Sequence, residues 1–92
     1  MLHFKANQDQ RLALQGLAYW IADVNYLRER YGDDEPELTV ADQTIKLLFN
    51  QLDKLQVPFW VQNSVICFAE DWRRYKREYM DRYLETRNIK LA

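Results

Sequence analysis

The stretch between Pro58 and Arg87 constrains this chain more than any other. Val61, Val65, Phe68, Trp72, Tyr75 and Tyr79 follow one another at spacings of 4, 3, 4, 3 and 4. In a helix that alternation keeps apolar and aromatic side chains on one stripe. Beside it run Glu70, Arg74, Glu78 and Arg82, alternating in sign so that neighbours attract along one flank. Pro58 suits a first helical turn, where a missing N–H costs nothing. Asn88 tolerates the left-handed conformation and suits the stop, with Ile89 placed to pack back. The pattern predicts one continuous helix over residues 58–87, about 45 Å long, with Asn63 or Ser64 as alternative caps for its start.

Two further helices share the period. Asn7 and Gln10 form a candidate capping pair. From there Ala13, Leu17, Trp20, Val24, Leu27 and Tyr31 repeat the same spacing, and Leu14, Ala18 and Ile21 widen the face. This predicts a helix over residues 8–31, ended by Gly32. Gly16 lies inside it at a cost of about 1 kcal/mol relative to Ala, and its absent side chain admits a close neighbour. Residues 32–38 are acidic, and Pro36 biases Glu35 away from helix. Thr39 with Asp42 resembles a capping box, predicting a helix over residues 40–55 with Ala41, Ile45, Leu48, Leu52 and Leu55 inward and Leu47 and Phe49 beside them. Gln56 and Val57 leave a tight turn. Residues 1–6, where Leu2 and Phe4 alternate around His3, read as an arm, either tucked or frayed. The expected fold is all-α: a single-domain, small three-helix bundle, up-down-up, with a long C-terminal helix. A helix-turn-helix arrangement with larger crossing angles is the alternative.

A chain of 92 residues, 48% hydrophobic and 29% charged, supports one modest core. Against a stability of about 5–15 kcal/mol, a core Trp72 would make Trp72→Ala costly, at about 3–5 kcal/mol. Net charge is −1, from 13 basic and 14 acidic residues, so no global field draws the chain to nucleic acid or anionic membrane. No apolar run approaches the roughly 18–20 residues of a membrane span, and no signal segment is evident. A single cysteine forms no internal disulfide, which fits a reducing cytoplasm. Size and lack of targeting point to a bacterial cytoplasmic protein.

Residues able to do chemistry are sparse. His3 is the only histidine and has no obvious partner for metal binding or base catalysis. Cys67, between Ile66 and Phe68, reads as a small buried hydrophobe. The acidic loop of Asp33, Asp34, Glu35 and Glu37 lacks the ligand alternation and interior glycine of a calcium loop. It sits instead where a helix N-terminus favours negative charge. There is no phosphate-binding glycine loop, ExxH pair or nucleophile elbow. The chain is expected not to be an enzyme, with no cofactor, metal or small-molecule substrate. Arg73, Arg74, Lys76 and Arg77, interleaved with Trp72 and Tyr75, offer a second reading as a nucleic-acid-binding regulator. Residues 70–87, however, hold six basic and five acidic side chains, a net of only +1.

Helix length decides the leading expectation. Helices of about 36 Å and 24 Å cannot cover a third of about 45 Å. Its second half stays aromatic and apolar: Tyr75, Tyr79 and Tyr83, with Met80 and Leu84 off the main stripe. A Tyr-, Met- and Arg-rich surface lacking intramolecular partners is interface-like. The sequence therefore predicts a non-catalytic protein-interaction module, a homodimer or an accessory subunit adapting a larger complex. It would dock through Tyr75, Tyr79, Met80, Tyr83 and Leu84. The competing arrangements splay the helices, or fold the N-terminal arm, or Ile89 and Leu91, back over that surface.

Overall fold

The computed structural model describes residues 2–92, the side chain of Arg77 excepted. Helix α1 (Gln8–Tyr31) starts at a closed capping box. The Asn7 side chain accepts from the Gln10 N–H at 2.9 Å, and the Gln10 side chain accepts from the Asn7 N–H at 2.9 Å. Two otherwise orphaned donors are satisfied reciprocally. Gly32 takes the stop at φ 83, its N–H donating to the Arg28 carbonyl at 2.9 Å. Helix α2 (Glu37–Lys54) begins ahead of Thr39, so the expected capping box at Thr39 and Asp42 is not used. Pro36 already sits at φ −59, ψ −30 and sets helical geometry for the residues behind it. Gln56, at φ 60, makes the tight reversal, and the Val57 N–H donates back to the Leu52 carbonyl at 3.0 Å.

The stretch 58–87 is not one helix. Helix α3 (Phe59–Ala69) stops, a 3-10 turn (Trp72–Arg74) follows, Tyr75 and Lys76 are extended, and α4 (Arg77–Glu85) turns back. A straight helix of about 45 Å would outrun the whole molecule, whose longest extent is 41 Å. It would also leave Met80 and Leu84 in water, whereas folding back buries both at 0% exposure. Each such burial is worth about 1.5–3 kcal/mol, against about 1 kcal/mol net for each exposed helical hydrogen bond given up. Packing wins over local pattern. Asp71 eases the break, its carboxylate accepting from the Arg73 N–H at 3.1 Å, a local alternative to helix.

Beyond α4, Asn88 at φ 64 redirects the chain into a short strand. That strand, β2 (Ile89–Lys90), pairs in parallel with β1 (Phe4–Lys5), Phe4 opposite Ile89 and Lys5 opposite Lys90. The Phe4 N–H donates to the Asn88 carbonyl at 2.9 Å and the Ala6 N–H to the Lys90 carbonyl at 2.8 Å. The N-terminal arm is thus tucked, and Ile89 folds back beside it. The described residues make a mostly helical, all-α fold of four helices with a minimal strand pair. The main core joins Leu14, Leu17, Leu52, Val61, Val65, Phe68, Met80, Leu84 and Ile89. A smaller one joins Val24, Leu27, Leu38 and Ala41. Among the described residues no helix is long and apolar enough to cross a membrane.

Candidate functional site

The residues expected to form a docking face mostly turn inward. Met80 and Leu84 are fully buried in the main core, so they present no surface, contrary to the expectation from sequence. The reason is the break ahead of α4, which supplies the intramolecular partners a straight helix would lack. Tyr75 and Tyr83 are half-buried, their rings 6.2 Å and 5.4 Å from that of Phe68. Tyr79 alone remains substantially open, at 44%, with the Lys76 ammonium 5.5 Å and the Arg82 guanidinium 6.0 Å from its ring.

The basic cluster is dispersed over separate contacts. Arg73 pairs with Glu29 and lies 4.8 Å over the Trp72 ring. The Trp72 indole N–H donates to the same Glu29 carboxylate at 2.5 Å and its ring meets Tyr26 edge-on at 4.9 Å. Trp72 is half-exposed and belongs to neither core, correcting its expected place as a core aromatic. Arg74 lies 5.5 Å from the Phe68 ring and 5.8 Å from that of Tyr83. The side chain of Arg77 lies outside the described residues. The three described cations are each held against a ring rather than aligned along a phosphate backbone.

Other reactive side chains are scattered. His3 lines an open groove of about 680 Å³ with Phe4, Lys5, Glu85 and Asn88. Cys67, expected to be buried, is half-buried instead. The acidic loop is answered by its own hairpin, Arg28 reaching both Asp33 and Asp42 at 3.8 Å. Among the described residues no three His, Cys, Asp or Glu side chains converge as a metal site.

The surface that the sequence reading missed lies on the other side of the molecule. Ile21, Val24, Ile45, Phe49 and Ile66 line one cavity and mark the inner side of the α1–α2 pair. Helical phase places Leu12, Gly16, Tyr19 and Asp23 of α1 on the outer side, together with Val40, Thr44, Leu47 and Gln51 of α2. The seam between these rows passes at Gly16, where an added Cβ would lie 3.5 Å from Leu48. Four of the eight are large and apolar yet open to solvent: Leu12 at 56%, Tyr19 at 53%, Val40 at 60% and Leu47 at 68%. Only Asp23 is charged. The signal was present, since both apolar pairs sit seven residues apart, two helical turns, and off the inward stripes. No known protein family, curated protein or solved structure matches this chain.

Proposed function

We propose that this chain is a non-catalytic protein-interaction module whose docking face is the outer side of the α1–α2 hairpin. One observation carries the reading: Leu12, Tyr19, Val40 and Leu47 form two open apolar pairs on adjacent helices, with Asp23 the one charge among the eight central residues and Arg30, Glu37 and Lys54 at the ends of the same rows. Isolated exposed hydrophobes are ordinary, but a charge-depleted cluster on one face is interface-like. Each pair repeats after two turns, about 10.5 Å, which matches the repeat of an amphipathic helix. The partner that fits is such a helix, laid along the seam and anchored by residues four and seven apart. The Arg73 cluster, tied to Glu29 and to rings, gives less support to nucleic acid as the ligand.

Site-specific photo-crosslinkers at Tyr19 and Leu47 are expected to capture one and the same protein in the native host. A crosslinker at Lys46, on another side of α2, is expected to miss it. Tyr19→Glu with Leu47→Glu should abolish capture while shifting stability by about 0.5 kcal/mol or less per site. Equal capture from Lys46, or a partner retained by the double variant, would remove the proposal.

A further inference from the structure

Residues 70–76 carry two competing instructions. The stripe from Val61 to Tyr79 runs through them unbroken, and no glycine or proline occurs between Phe59 and Asn88. In the folded-back chain, Glu70, Arg74, Glu78 and Arg82 make no ion pair among the described residues. Placed four apart in one continuous helix, they would attract in sequence. The backbone needed to get there is close at hand. Glu70 is already helical, and residues 72–74 form a 3-10 turn. Only Asp71, Tyr75 and Lys76 depart, with ψ of 91, 112 and 144, and all three keep negative φ. Rotating these three ψ angles to about −42°, together with the Lys76 φ from −146 and the Asp71 φ from −94 to about −63°, joins α3 and α4.

What holds the break differs from what holds α4. The break is fastened by exposed polar contacts, Asp71 to the Arg73 N–H and Glu29 to Trp72 and Arg73, and by Tyr75 and Arg74 resting on the Phe68 ring at the edge of the core. Helix α4 and β2 are held by Met80, Leu84 and Ile89, each exposed by 1% or less, and by the ladder to β1. Straightening alone would strip those contacts. A second copy that has straightened in the same way offers an identical vacated site, which restores every one of them in trans. We infer that two copies of this chain exchange α4 and β2, with residues 70–76 straightening so that α3 and α4 become one helix. The occupant of each vacated site is the other copy's own segment, because that site is shaped by it. This exchange uses a surface separate from the outer face of α1–α2 and does not depend on that proposal.

The test is refolding from denaturant at millimolar protein, followed by chromatography with light scattering. The expected result is a dimer that persists on dilution, raised severalfold by Asp71→Ala with Glu29→Ala. Arg77→Pro should abolish it while Arg77→Ala does not. Proline at the first residue of α4 suits the broken form, where Lys76 is extended, and cannot sit inside a continuous helix. Leu47→Glu should leave the dimer intact. A second measurement stands if the proline variant fails to fold. Paired spin labels at Asn63→Cys and Glu85→Cys in a Cys67→Ala chain, diluted into unlabelled copies, should report about 33 Å in the dimer, the span of 22 helical residues. The inference is overturned by absence of dimer in both the natural chain and the Asp71/Glu29 variant. It is equally overturned by a dimer that Arg77→Pro tolerates and Leu47→Glu removes, or by labels that stay at the monomer's distance.

Discussion

Helix α1 packs against two apolar clusters, and they are closed in different ways. Along its first half, Leu14, Leu17 and Ala18 meet Val61, Val65, Met80, Leu84 and Ile89, which arrive from the far end of the chain. Along its second half, Val24 and Leu27 meet Leu38 and Ala41 across one short loop, with Trp20 and Tyr26 at the rim. Most of the first group are sealed at 0–1%, whereas the second group retain 1–6%. Loop closure explains the asymmetry. A hairpin across a few residues loses little chain entropy and holds with modest burial. Bringing residues 80–89 back to α1 loses more, and the deeper cluster compensates.

Five substitutions would break or sharpen that contrast, read as shifts in urea midpoint at constant slope. Leu84→Ala is expected to cost most, about 3–5 kcal/mol, and Leu27→Ala in the shallow cluster only about 2 kcal/mol, since a site near solvent relaxes around the lost methyls. Equal costs would end the distinction between the clusters. Asn7→Ala should lose about 1 kcal/mol by opening the capping box. Gly16→Ala should gain up to about 1 kcal/mol, because the new methyl meets Leu48 at ordinary contact distance, 3.5 Å. A loss would show that Leu48 does not yield to the added methyl. Glu29→Ala should have the smallest effect, about 0.5 kcal/mol. Its ion pair with Arg73 joins side chains 46% and 61% exposed.

Local chemistry was legible from the residues alone. Asn7 with Gln10 gave the start of α1 and Gly32 its end, since capping depends on neighbours within one turn. The start of α2 lies ahead of the one that Thr39 and Asp42 suggest, because the fixed φ of Pro36 already suits the residue that opens a helix. The break at residues 70–76 was illegible because nothing local demands it. It arises from Met80 and Leu84, and their position off the main stripe was the one sign that a second neighbour must cover them. The arm is tucked and Ile89 folds back, but around a broken helix that neither expectation contained, and the expected docking face at Met80 and Leu84 became core. The outer face of α1–α2 was missed for the converse reason. Period counting records the side a helix buries, and Leu12, Tyr19, Val40 and Leu47 fall outside it.

The parallel ladder between Phe4 and Ile89 has a consequence for assembly in time. β1 is made early and finds its partner only after nearly all the remaining described chain has been synthesised. Contacts so distant in sequence form late. The α1–α2 hairpin is expected to form early, while α4 and β2 dock last. Each molecule then passes through an interval in which Leu84 and Ile89 have no cover. The protein concentration during that interval, more than the stability of the finished fold, would decide whether a chain closes on itself or on its neighbour.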